Sequence, residues 1–422
     1  MKKTAVVLTA LSVFFLLNSL CFGQYRIEFV PGISVGETYD DNIFLSNSNE
    51  TSDYITRVSP SLSFGVVGQN TRLQLSYVPT FNWYADRDDL NYTSHSANLS
   101  LEQGLTQHLR FRLTDTYLRS EDPLDDIADV QGQRRTRNTY WTNLSRASLD
   151  YLFGAENRVV VDYGLAYREN DAFTLDDSKV QDPFAMLTYW FDVRNGIELK
   201  YQYLKADFSR DEGLRADDDF TGNKAGLRYI RRFSPQSRAY AGYNYTTRNF
   251  DGLTEDFNIH DGSVGLEHSF SPEYSVAVGA GYFIRVNDTS DNQKGPIYSA
   301  SLTRNFARGS IIIGGAGGWD EEYLTVGTDG FTKYYSGYAR AQYQVLEPVS
   351  IYAGASYRHD KSQTDRRWVT LRGNCGLRWS FLRWFYLNLD YTHADRNDDV
   401  NTEDYKVNRV TLSLGATKPY IW

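Results

Sequence analysis

Residues 72–83 read Arg72-Leu73-Gln74-Leu75-Ser76-Tyr77-Val78-Pro79-Thr80-Phe81-Asn82-Trp83. Leu73, Leu75, Tyr77, Pro79, Phe81 and Trp83 share one parity, and Arg72, Gln74, Ser76, Thr80 and Asn82 share the other. A helix would scatter these residues around its circumference, whereas a strand sorts them onto two faces. The same sorting recurs at Ile197, Leu199, Tyr201 and Tyr203 against Glu198, Lys200 and Gln202. It returns at Phe385, Leu387, Leu389 and Tyr391 against Asn388, Asp390 and Thr392. A soluble sandwich also alternates. Here, however, the polar face carries Arg and Lys in mid-strand, and the apolar face ends in Tyr, Trp or Phe. Strands with lipid outside and water inside have this pattern.

Composition agrees. Aromatic residues make up 15% of the chain, with 32 Tyr, 23 Phe and 8 Trp, too many for a disordered segment. Mean hydropathy is nevertheless −0.51, and beyond the N-terminus no stretch is long and apolar enough for a membrane helix. The formal net charge of −9 argues against nucleic acid as a partner.

The N-terminus reads as a secretory leader. Lys2 and Lys3 precede an apolar run from Ala5 to Leu17, followed by Asn18, Ser19 and the small Gly23. The run is too short and wrongly flanked for a permanent membrane helix, so cleavage is expected after Gly23, leaving 24–422 as one barrel domain. Leu20 before Cys21 is too bulky for lipoprotein processing. The mature chain then keeps Cys375, which shares parity with Val369, Leu371, Leu377 and Trp379 and reads as a lipid-facing side chain.

Connections alternate in length. Tight turns are read at 68–70, 154–157, 194–195, 234–236, 271–273, 308–309 and 347–348. Longer acidic loops are read at 86–89, 121–134, 171–178, 210–219, 288–294, 320–329 and 395–404. Short periplasmic turns and long outer loops define outer-membrane barrels, and the pattern predicts about 20 antiparallel up-and-down strands from Gly32 to Trp422, with roughly 18 as the fallback. Tyr92–Gln103 and Asp256–Phe270 are the weakest segments. The first strand follows so soon after the leader that no plug domain is expected. Val410, Leu412, Leu414, Ala416, Tyr420 and Trp422 share one parity, and Tyr420 and Trp422 form the expected signal for barrel-assembly machinery, interrupted by Lys418 and Pro419.

One stretch resembles a known family. Val35-Gly36-Glu37-Thr38-Tyr39-Asp40-Asp41-Asn42-Ile43-Phe44-Leu45, followed by Ser52-Asp53-Tyr54-Ile55-Thr56-Arg57-Val58-Ser59-Pro60-Ser61-Leu62, is similar to the opening of the Putative beta-barrel porin 2 group. The shared features are a Tyr-Asp-x-Asn strand end and a Ser-Asp-x-Ile-x-x-x-x-Pro strand start. The resemblance implies a passive barrel. Some members sit with exopolysaccharide synthesis and export systems, so it also implies polysaccharide-export proteins as partners. It transfers no binding residues. By position alone, Asp40, Asp41 and Asn42 belong to a hairpin rim.

No catalytic constellation stands out, and the chain is read as a non-enzyme. His95, His108, His260, His268, His359 and His393 lack metal-ligand spacing. His260-Asp261 and His359-Asp360 are strand neighbours that point to opposite faces. Asp125, Asp126 and Asp129, and Asp217, Asp218 and Asp219, do not follow a calcium-loop pattern. No metal or cofactor is expected.

The inward face carries the functional reading. By parity Arg72, Arg110, Arg112, Lys200, Arg228, Arg238, Arg358, Arg372 and Arg378 project into the lumen, with Asp162, Glu198 and Asp390. A barrel of about 20 strands is too wide to fill with side chains. The expected function is therefore passive passage of small hydrophilic or charged solutes, with 121–134 as the constricting loop. A conduit for exported polysaccharide and a structural or adhesive barrel presenting acidic loops are the alternatives. Outer-membrane lipids and lipopolysaccharide are the expected surroundings.

Overall fold

The computed structural model describes residues 25–125, 137–171, 177–209, 219–252, 254–321, 331–363, 365–400 and 403–422. The leader, including its cleavage point after Gly23, lies outside them, as do Asp126, Asp129, Asp217 and Asp218.

The strands are β1 (Arg26–Asp40), β2 (Asp53–Val67), β3 (Thr71–Tyr84), β4 (Tyr92–Gly104), β5 (Leu109–Ser120), β6 (Tyr140–Phe153) and β7 (Asn157–Asn170). There follow β8 (Asp177–Trp190), β9 (Asn195–Ser209), β10 (Phe220–Ser234), β11 (Ser237–Phe250), β12 (Phe257–Ser271), β13 (Tyr274–Asn287) and β14 (Gln293–Phe306). The last are β15 (Gly309–Glu321), β16 (Phe331–Leu346), β17 (Val349–Ser362), β18 (Arg367–Trp379), β19 (Phe385–Asp398), β20 (Tyr405–Thr417) and the short β21 (Tyr420–Ile421). From β1 to β20 each strand pairs antiparallel with its chain neighbours, and β1 pairs with both β2 and β20, so the sheet closes without an edge.

The sheet is thus a closed barrel of 20 strands plus one two-residue strand. β21 continues β20 beyond Lys418 and Pro419. Proline cannot donate to a ladder, so pairing lapses there and resumes at Phe29↔Tyr420. Both weak segments, β4 and β12, are full strands. The first strand begins at Arg26, six positions before the expected Gly32, because Pro31 and Gly32 are accommodated within β1.

Turn chemistry explains one end of the barrel. Ser234-Pro235-Gln236 and Ser271-Pro272-Glu273 share a design. The serine Oγ accepts the amide of the residue after proline, at 3.2 Å in both turns. A register shift precedes each turn. Gly154 adopts φ 63°, a left-handed conformation that favours glycine.

Strands of 12 to 16 residues exceed the ~9–11 needed to cross a bilayer, so their loop ends project beyond the lipid-facing zone. The outward face carries exposed Leu75, Tyr77, Trp83, Leu227, Val264 and Leu412. Cys375 lies on it, exposed and opposite Tyr391. Carboxylates interrupt this face in places, as Glu37 does beside Val35 and Tyr39. Asp115 lies on the outward face opposite Leu99, where Asn143 (3.1 Å) and Ser145 (2.5 Å) donate to it. His260 also faces outward, bonded to the Tyr243 hydroxyl at 2.6 Å, while Asp261 faces inward and accepts from Asn244 at 2.6 Å.

Candidate functional site: the lumen and its mouth

The strand period places the sequence-predicted lumen residues on the inward face, and the register then brings many of them to carboxylates. Arg112 lies opposite Glu102, Arg228 opposite Glu198 and Arg238 opposite Glu267. A ladder results along β4–β12. Glu102 receives Arg110 at 3.3 Å and Arg112 at 3.6 Å. Asp150 takes Arg158 through two bonds of 2.8 and 2.7 Å, Glu198 takes Lys200 at 2.7 Å, and Glu267 takes Arg238 at 2.6 Å. Arg146 reaches Asp182 at 2.9 Å and Asp162 at 3.8 Å. Most of the cations are more than a third exposed, so each pair contributes only ~0.2–1 kcal/mol. The ladder mainly neutralises the wall it lines.

The other predicted residues behave differently. Arg358 is held near the loop end by Asp360 (2.8 Å) and Asp320 (3.0 Å). Arg378 stacks on Tyr386 at 4.3 Å. Among the described residues, Arg72, Arg372 and Arg378 have no carboxylate within 4.0 Å.

At the loop end the inner surface is packed rather than wet. The 41–52 connection turns inward and buries Ile43 against Ile55 and Tyr84. The base of the 121–139 connection joins it. Asp122 is fully buried and meets Arg409 of β20 at 2.8 and 3.0 Å and Arg57 of β2 at 3.8 Å. Arg409 also donates to buried Asp40 at 2.5 Å. Arg137 returns over the Tyr84 and Tyr92 rings at 4.8 and 5.5 Å and donates to the Ile43 carbonyl. The start of the expected constriction loop is therefore anchored inside the mouth, and Arg137, just beyond the loop, packs there too; residues 126–134 lie outside the described part.

Burial alone would raise the Asp122 carboxyl, but Arg409, Arg137 and Arg57 outweigh it and hold the group well below the usual carboxylate range. Asp125 goes the other way. Its burial and the Asp122 charge push it up, opposed by the Ser120 hydroxyl bonded at 2.6 Å.

The Tyr39–Asn42 strand end and the Ser52–Asp53 strand start build this rim. Asn42 is fully buried, donates to the carbonyls of Ser46 and Lys406, and accepts from the Ser46 amide. Asp41 accepts from Asn408 at 2.7 and 2.6 Å. Asp53 accepts backbone amides of Tyr54, Ala85, Asp86 and Arg87.

A second inward element faces the other side of the barrel. β14–β15 pairing ends at Tyr298↔Gly317, whereas β15–β16 pairing continues to Glu321↔Phe331. The described end of β15 beyond Gly317 lies against the inner surface. Glu321 meets Arg248 of β11 at 2.8 Å, both nearly buried. Phe331 packs on Phe257 and Phe283, and Arg285 lies over Phe257 at 4.0 Å and Phe331 at 4.6 Å. Along a flat sheet β11 and β15 would stand about 19 Å apart, more than the two side chains span, so the mouth curls sharply here. Sequence parity identifies Arg409, Arg248 and Arg285 as inward cations; their burial and distant partners have no local signal.

This fold and this inner surface define a class: porin-like outer-membrane β-barrels. The Putative beta-barrel porin 2 family model matches residues 198–418, and the chain belongs to that family. The match covers the C-terminal half rather than the opening motif. Among solved structures the chain is similar to the FrpB iron transporter from Neisseria meningitidis, with 10% identity, TM-score 0.55, and coverage of 96% of this chain and 83% of that one. The alcaligin outer-membrane receptor FauA from Bordetella pertussis gives 12% identity, TM-score 0.53, and coverage of 95% and 77%. The siderophore receptor PirA from Pseudomonas aeruginosa gives 9%, 0.50, and 92% and 80%. At these identities the likeness concerns the fold. No curated protein is significantly similar to the chain.

Proposed function

We propose that this protein is a passive, non-enzymatic channel for small hydrophilic or charged solutes in the outer membrane of a bacterium. The observation that carries the reading is a closed 20-strand wall whose inner face is lined by water-accessible charged side chains. Side chains alone do not fill a barrel of this width, and charges facing water there cost little. Every described residue belongs to a barrel strand, a connection or a terminus, which supports a lumen without a plug. The two inward elements at the mouth narrow it.

In this reading the leader directs export, the tight turns face the periplasm, and the acidic loops face lipopolysaccharide outside. Tyr420 and Trp422 serve as the handle for the assembly machinery. Neither the family description nor the structural relatives name a polymer, so the polysaccharide-conduit reading gains no support from them.

Proteoliposomes carrying the purified barrel test the proposal. Swelling in neutral sugars of graded size should be fast for the smallest and fall steeply with mass. Swelling no faster than in empty liposomes for every sugar would refute it.

A further inference from the structure

The lumen has two unlike walls. On β4–β12 the inward cations Arg112, Arg146, Arg158, Lys200 and Arg238 each meet a carboxylate. On β16–β19 the cations at the loop end do so too, Arg358 with Asp360 and Asp320 and Arg396 with Asp398, but those deeper in the lumen do not. Arg340, Arg372 and Arg378 are exposed on the inward face, and among the described residues none has a carboxylate within 4.0 Å. The nearby inward carboxylate, Asp390, accepts the hydroxyl of Tyr352. Two of these guanidiniums lie against tyrosine rings: Arg378 on Tyr386 at 4.3 Å and Arg340 on Tyr338 at 5.9 Å. Asn374 stands between Arg372 and Arg378 on β18, and Asn388 of β19 lies beside Arg378 on the same face.

We infer that the inner wall of β16–β19 is a binding track for acidic monosaccharides, such as hexuronates, passing through the lumen. The inference rests on the channel reading and names its substrate class. A guanidinium stacked on an aromatic ring keeps its N–H edge free, and that edge matches a carboxylate through two parallel bonds. Exposed tyrosine faces receive the apolar face of a sugar ring. Amide side chains satisfy hydroxyls as donors and acceptors. A neutral wall opposite, already zipped by its own ion pairs, leaves this side as the one with unsatisfied positive charge.

The test is uptake of radiolabelled glucose, glucuronate and glucosamine, three solutes of similar size, into proteoliposomes. The parent protein should take up glucuronate several-fold faster than glucose, with glucosamine slowest. The triple variant R340Q/R372Q/R378Q should bring the glucuronate-to-glucose ratio close to one without slowing glucose. Removing a whole pair from the opposite wall, R238Q/E267Q, leaves the net charge there unchanged and should retain the parent ratio. Equal uptake of glucose and glucuronate by the parent, or an undiminished ratio in the triple variant, overturns the track and leaves the channel standing. Exclusion of all three sugars overturns the channel itself.

Discussion

Replacing Arg409 by Gln removes the guanidinium shared by Asp40 and Asp122. Both carboxylates are fully buried, and Arg409 is itself only 10% exposed. Unlike the half-exposed lumen pairs, this site cannot recover its loss from water. Removing one partner of a buried ion pair costs about 3–5 kcal/mol, because the remaining charge is stranded. The strand ladders around it are unaffected, so the cost falls on docking of the 121–139 base against β1, β2 and β20. The docked-to-undocked ratio should drop by a factor between about 10² and a few times 10³. Trypsin cleavage after Arg137, which the Tyr84 and Tyr92 rings cover in the parent, reads this directly. R409Q in detergent should be cut there much faster than the parent while its heat-modifiable gel mobility stays that of a folded barrel. Acidification should slow cutting again as the stranded carboxyls take up protons. Equal cleavage rates in parent and variant would refute the energetic role assigned to Arg409.

Three further outcomes follow from the same geometry. Leu75→Arg, on the lipid face, should cost ~2–4 kcal/mol in urea unfolding in bilayers, whereas Gln74→Arg, one residue away on the lumen side, should change the midpoint little. Deleting residues 418–422 removes the paired Ile27–Trp422 backbone bonds of 2.9 Å and the Phe29–Tyr420 ring contact, and should slow folding into liposomes, read by gel mobility against time. The mouth should also respond to pH in two stages. Asp125 is raised, so its ionised form opposes docking at neutral pH, and mild acidification should slow cleavage at Arg137. Asp122 is lowered, so its contribution is present above the ordinary carboxylate range and is lost only as pH falls well below it. A cleavage rate that rises steadily from pH 7 to pH 5 would contradict that order.

Much of the barrel is legible in residues 72–83 and their counterparts, because a period of two writes both faces into each strand. The alternating connections fix the strand number for the same reason: each tight turn must join two antiparallel neighbours. Asp115 shows where the rule that charges face the lumen misleads. It lies among outward residues, and three local bonds from Asn143 and Ser145 satisfy it, which no charge count would reveal. Arg112 and Glu102 were readable as inward residues but not as partners, since pairing depends on register. The mouth was the least legible part. Arg409 and Asp122 are separated by 287 positions, and Arg248 and Glu321 by 73, so only closure and curling of the wall bring them together. Pro419 is the converse: a residue that looked like a defect in the last strand marks a brief lapse in pairing before the seam resumes.

Single-channel recording in a planar bilayer across a salt gradient tests for a water-filled path through the barrel. Discrete conductance steps are expected, with a reversal potential displaced toward that of the anion. Membranes that incorporate folded protein yet show no steps at any voltage would contradict it.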